Sequence, residues 1–116
     1  MWRARSEVTV KTSPTQLSLR TLRQFGYTAQ VVERWNAYAK VRQDLFGFID
    51  IVAINDLNGV LGVQSTSDGN VSSRLRKIKE NANAKRWLDA GNRIVVHGWK
   101  LHRGRYACRV VQVTEI

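Results

Sequence analysis

Four side chains have types and spacings that could do chemistry together: Glu33 in "VVERW", Asp50 in "GFIDIVAI", and Gln64 with Thr66 in "GVQST". Asp50 is flanked by Phe48, Ile49, Ile51 and Val52. An ionised carboxylate in such surroundings is costly unless it is paired or bound to a metal ion. The other reading is an acid at a strand end, solvated or hydrogen-bonded to a turn, and residue type alone leaves both open. Gln64 and Thr66 lie two residues apart, so a strand puts both on one face. Asp44, in "RQDLFG", is a further acid close by. Because acids commonly sit at element ends, it reads first as a loop residue or the start of a strand.

The elements that must position these groups follow from local pattern. "TSPTQLSLRTLRQFG" reads as a first helix, with Ser13 as N-cap, Pro14 at the first helical position and Gly26 past the end. Leu17, Leu19, Leu22 and Phe25 supply its apolar side. "YTAQVVERW", rich in β-branched and aromatic residues, reads as a strand. "FGFIDIVAI" is a second strand, apolar almost throughout, as expected for one buried on both faces. "NDLNG" makes a turn, Asn58-Gly59 being a strong hairpin signal, and "VLGVQST" is the third strand. "NVSSRLRKIKENANAKRWLDAG" reads as one long helix, with Val71, Leu75, Ile78, Ala82 and Leu88 at helical spacing. Asn70 or Ser67 can cap it and Gly91 ends it. Two more strands, "NRIVVHGW" and "YACRVVQVTEI", are joined by the basic turn "KLHRG". The order predicts an α/β fold, a central mixed sheet flanked by helices in which the second helix crosses between strands. The 116 residues are material for a single domain, with residues 1–12 read as a flexible basic N-terminal arm.

Charge narrows the partner. Nineteen Lys and Arg against nine Asp and Glu give a formal +10. Such an excess on a small domain is an electrostatic footprint for a polyanion, and the dominance of Arg, which reads phosphate bidentately, points to nucleic acid. A basic solubilising surface is the plainer explanation. No run of roughly 18 apolar residues exists to span a membrane. The N-terminus lacks the apolar stretch of a secretory signal, so an intracellular protein is expected. Cys108 stands alone and reads as a small buried thiol in a strand, with no disulfide framework or cysteine metal knuckle. His97 and His102 have neither ligand spacing nor an adjacent carboxylate and read as structural. Trp35, Trp87, Trp99 and Tyr27 read as core, leaving Trp2 and Tyr38 as candidates for stacking on unpaired bases.

Taken in order, a helix, a strand, an Asp-bearing strand, an Asn-Gly turn, a strand with two polar residues at i and i+2, and a basic helix resemble the PD-(D/E)XK nuclease superfamily. The small archaeal Holliday-junction resolvases and their phage-encoded relatives look nearest. In that superfamily the second strand carries an Asp and the third carries Glu-x-Lys. Asp50 and Gln64, 14 positions apart, agree with the compact resolvase spacing. The segments "VVERWN", "RQDLFGFIDIVAI", "GVQSTS", "RKI" and "VHGWK" also look like a family of small phage proteins. The resemblance covers the chain from about Leu19 to Trp99. It implies a restriction-endonuclease-like fold and a Mg²⁺- or Mn²⁺-dependent endonuclease acting on DNA phosphodiesters. Branched or junction DNA would be the substrate, a homodimer the working form, and the cytoplasm of a prokaryotic host the setting.

The resemblance also implies roles. Asp50 matches the metal-binding Asp, Gln64 stands where the second acidic ligand belongs, and Thr66 stands where the catalytic Lys belongs. Glu33 would be the upstream acid, although in the superfamily that acid usually lies on the first helix; Asp44 is the other acid that could join Asp50. Mg²⁺ takes hard oxygen ligands, and the Gln64 carbonyl is one, but it brings no charge. Thr66 cannot replace an ammonium that would orient water and offset developing charge. In the superfamily that lysine sometimes migrates to a neighbouring element. Here Lys77, three residues from Arg74 on one helix face, is the preferred substitute. Phosphate contact explains the same charges on Arg74, Arg76, Lys77 and Lys79. Thr66, Ser67 and Asn70, with Gly69 and the helix N-terminus, would form an anion-binding corner. Lys100 and Arg103 in the "HGWKLHRGR" hairpin would grip the duplex backbone. With both Glu and Lys replaced, a catalytically inactive, nuclease-like DNA-binding protein is the alternative, and an RNA- or ribosome-associated basic protein is a third.

Overall fold

Ser13 and Pro14 start the first helix as their chemistry dictates. A computed structural model describes residues 12–116, so all of the expected N-terminal arm except Thr12, and Trp2 with it, lies outside the described residues. The Ser13 hydroxyl accepts from the Gln16 N–H at 3.2 Å and opens α1, Pro14–Gln24. Leu17, Leu19 and Leu22 are buried, whereas Phe25, just past the last helical residue, is 75% exposed and leaves the apolar side it was expected to join.

Six strands, two α-helices and a 3₁₀ turn follow β1, Thr28–Val31: β2 (Arg34–Asn36), β3 (Val41–Gln43), β4 (Ile51–Asn55), β5 (Gly59–Ser67), the 3₁₀ turn Asp68–Asn70, α2 (Val71–Lys79), α3 (Ala82–Asp89), β6 (Arg93–His102) and β7 (Arg105–Val113). Five strands form one sheet in the order β1-β4-β5-β6-β7, and β2 pairs with β3 outside it. Neighbours in the large sheet are antiparallel except β5 and β6, which are parallel. A parallel pair needs a long crossover, and α2 and α3 provide it. The fold is therefore α/β with a mixed central sheet flanked by helices, as expected. No helix among the described residues is long and apolar enough to cross a membrane.

Three expectations are corrected. The strand expected over "YTAQVVERW" breaks at Val32 and Glu33, whose N–H groups both donate to the Asp50 carbonyl, at 2.8 and 3.3 Å; the chain then leaves the sheet as the β2–β3 hairpin. The single long helix is two. Asn81 adopts an extended backbone, caps α3 by accepting from the Asn83 N–H at 2.8 Å, and donates to the Phe46 carbonyl at 3.0 Å. That change of direction buries Ala84 in place of Ala82. Finally, the strand buried on both faces is β5, with Leu61 to Thr66 all buried, while in β4 Val52 is half-buried and Ile54 exposed.

The core has two halves, one on each face of the sheet. Leu19 and Leu22 of α1 pack on Ile51, Ala53, Leu61, Val63 and Val95. On the opposite face Val71 and Ile78 of α2 and Ala84 of α3 meet Phe48, Ile49, Ile94 and Val96. Gly98 of β6 belongs to this second face because a Cβ there would collide with the Val71 side chain and press on the Asp68 backbone. Gly98→Ala should therefore destabilise the fold by about 1–3 kcal/mol, read as a lower urea midpoint at unchanged slope, since close-packed positions pay for an added methyl with strain.

Candidate functional site

Asp50 lies one residue before β4, its N–H bonded to the Val63 carbonyl at 2.8 Å, at the point where β5 runs on past the end of its neighbour. Its side chain is 3% exposed. Oδ2 accepts from Gln64 Nε2 at 2.8 Å and from the Ser65 N–H at 2.8 Å. The Gln64 amide reaches a second carboxylate as well, with Nε2 3.4 Å from Asp44 Oδ2. Glu33, Asp44 and Asp50 each present a carboxylate oxygen, and these oxygens lie within 4.8 Å of one another.

The β2–β3 hairpin brings the two outer acids together. Glu33 immediately precedes β2 and Asp44 immediately follows β3, and the Arg34–Gln43 pairing at the open end sets the two feet side by side. Arg42 of β3 turns back to Glu33, with Nη1 3.6 Å from Oε1, the only cation in contact with the acids among the described residues. An open groove of about 650 Å³ runs beside the cluster, bordered by Val32, Arg34, Arg42, Gln43, Asp44 and Phe46.

Burial is the main cause that pushes the Asp50 carboxyl up to about 8, and its hydrogen bond to the Asp44 carboxyl acts in the same direction. The Ser65 N–H opposes this, while the negative charges of Asp44 and Glu33 add to it. At neutral pH Asp50 is therefore largely protonated. Oδ2 is occupied by the Gln64 and Ser65 donors, and the proton of the neutral acid is shared with Asp44. That proton, the neutral Gln64 donor and Arg42 at Glu33 together relieve the cluster's repulsion.

No family model, curated protein or solved structure matches the chain. What the site can do follows from its donor set. Three carboxylates are hard ligands of the kind that Mg²⁺ and Mn²⁺ take, with no thiolate or imidazole to favour a softer ion.

The other residues singled out from the sequence are distributed more widely. Thr66 is buried opposite Gly98 in the β5–β6 register, with neither charge nor access to solvent. Lys77 is exposed on α2 and makes no ion pair with Glu33, Asp44 or Asp50. Arg76 is exposed and Arg74 half-buried. At the expected anion corner, Ser67 accepts from the Asn70 amide at 3.0 Å, and no side chain caps α2. Asp68 already occupies that corner, accepting from Arg109 Nε at 2.9 Å, so the position holds an acid bound to an arginine. Lys100 and Arg103 are exposed on the β6–β7 hairpin.

Behind the acids, on the α1 side of the sheet, lies a second buried polar group. The Ser18 hydroxyl is 2.7 Å from the Ser65 hydroxyl and 2.9 Å from His97 Nδ1, and accepts from Trp99 Nε1 at 2.8 Å. Burial lowers the His97 pKa to about 4, so it is neutral and structural, as read from the sequence. Cys108 is half-buried in β7, less enclosed than expected, with burial raising its thiol to about 11. Trp35, expected in the core, is 58% exposed, and Tyr38 is 95% exposed. Asp44 is the residue that sequence reasoning undervalued. A signal was present: Asn36, a turn former, opens a turn with short β-prone segments on both sides, and that arrangement brings Glu33 and Asp44 together.

Proposed function

We propose that the protein is a Mg²⁺- or Mn²⁺-dependent endonuclease acting on DNA phosphodiesters. The observation that carries this reading is the convergence of Glu33, Asp44 and Asp50 within 4.8 Å on a chain of net charge +10. Like charges this close repel unless a proton, a hydrogen-bond donor or a cation offsets them. The Asp50 proton, the Gln64 amide N–H and Arg42 at Glu33 do so here, and a divalent cation would bind all three carboxylates at once. Glu33, Asp44 and Asp50 would hold the ion; Gln64 could add Oε1 only by turning over its amide, since Nε2 faces two carboxylates. Bound there, the ion supplies polarisation of the phosphodiester and a water of lowered pKa. Arg34 and Arg42, on the groove, would bind the phosphates on either side of the scissile one. Arg42 takes the charge-offsetting place that Thr66 leaves empty, and Lys77 contributes a phosphate contact further away.

The test is incubation with four-way-junction and flap DNA in Mg²⁺ or Mn²⁺. Nicking that EDTA abolishes is expected. A preparation that binds these DNAs but cuts none of them in either metal leaves the second reading, a nuclease-like protein that only grips DNA. That reading draws support from Gln64, which faces the carboxylates as a donor, and from the buried, uncharged Thr66. It expects salt-sensitive binding that is indifferent to metal.

A further inference from the structure

The β2–β3 hairpin belongs to neither half of the core, yet it carries large aromatic side chains. Tyr38 is 95% exposed, Trp35 58% and Val41 47%, and Arg34, Lys40 and Arg42 are exposed beside them. The turn is pinned without help from these rings. Asn36 Oδ1 accepts from the Tyr38 and Ala39 N–H groups, each at 3.0 Å, and Lys40 takes a left-handed conformation at φ +56°. Tyr38 is thus displayed at a hydrogen-bonded turn, outside both halves of the core. Trp35 stands directly across from Arg42, the residue that also reaches Glu33. At the foot of the hairpin, Phe46, 52% exposed and itself at φ +57°, lines the groove together with Asp44.

Aromatic faces interleaved with arginine and lysine match one chemistry closely. Bases outside a helix stack on the rings, while the cations neutralise the connecting phosphates. A continuous duplex offers the phosphates but keeps its bases stacked on one another. We infer that the β2–β3 hairpin is a clamp for unpaired nucleotides. Tyr38 and Trp35 stack on the bases, and Arg34, Lys40 and Arg42 hold the backbone. The preferred substrate is then DNA with a single-stranded or splayed portion at the acid cluster. The inference rests on the nuclease reading for the location of the cut, and the hairpin's two feet, Glu33 and Asp44, tie the clamped strand to that location.

Binding is measured by fluorescence anisotropy in EDTA, on labelled splayed-arm DNA and on fully paired duplex of equal length. The wild type should prefer the splayed DNA by ~10-fold, the low end of what one or two stacked bases contribute. The Trp35→Ala/Tyr38→Ala double variant should lose that ~10-fold on splayed DNA while changing less than ~2-fold on duplex. Tyr38→Phe, which keeps the ring, should retain the preference. Equal binding of both DNAs by the wild type, an equal loss on both in the double variant, or a Tyr38→Phe that behaves like Tyr38→Ala would each overturn the clamp. Cleavage in Mn²⁺ is read separately on the same two DNAs. A splayed-arm preference without any cutting overturns the nuclease reading and supports the clamp; cutting without the preference does the reverse.

Discussion

Replacing Asp50 with asparagine is expected to lower Mn²⁺-supported cleavage of branched DNA by at least ~100-fold, since even outer-shell partners of a metal site are worth 10- to 100-fold. The substitution suits the site because the wild-type group is already protonated. An asparagine can accept from Gln64 and the Ser65 N–H through its oxygen and donate to Asp44 through its nitrogen, as the carboxylic acid does. The contacts survive and only the capacity to become an anion is lost. Asp50→Ala should lose cleavage too, but it strands the Gln64 and Ser65 donors in a buried place at a cost of about 1–3 kcal/mol, which mixes stability with catalysis. An asparagine variant that cuts at the wild-type rate would remove Asp50 from the reaction.

The same variant should change how stability depends on pH in the absence of metal. Asp50 titrates near 8 when folded and near its ordinary 3.8 when unfolded, so between those values the folded protein holds a proton that the unfolded chain has released. Its contribution is complete below 3.8 and is lost as pH rises towards 8. His97 works in the opposite sense. Lowered from 6.5 to about 4, it is more easily protonated in the unfolded chain, so its contribution is complete above 6.5 and falls as pH drops towards 4. Between about pH 4 and 6.5 the two slopes oppose each other, and above 6.5 Asp50 acts alone. Urea midpoints in EDTA should therefore be similar for the wild type at about pH 5 and 6.5 and lower at about pH 8. With Asp50→Asn the midpoint should rise from about pH 5 to 6.5 and then stay level. Identical profiles for the two proteins would mean that Asp50 is ionised in the folded state.

Several features of the fold could be read from residues alone because their causes are local. Ser13 and Pro14 start α1 through their own side chains, and Gly59, at φ +73°, closes the β4–β5 hairpin that Asn58-Gly59 announced. That turn also determines register, and register aligns Asp50 with Gln64 across the two strands; the ladder pairs Ile51 with Val63 beside them. The break between α2 and α3 was not legible, because Asn81 turns the chain partly to reach the carbonyl of Phe46, 35 residues away. Trp35 carried no local mark of exposure either, since a β-prone aromatic reads as core until the hairpin bearing it is seen to leave the sheet.

The sequence by itself determined the α/β order and the basic charge, and it put Asp50 and Gln64 on successive strands, all products of short-range pattern and composition. Only the tertiary structure decided that Glu33 and Asp44 both join that pair, that Thr66 is buried, and that Arg42 rather than Lys77 contacts the acids. Those outcomes depend on where a hairpin outside the sheet and a crossover helix come to rest. Packing between residues distant in the chain sets those positions, and no spacing along the chain encodes them.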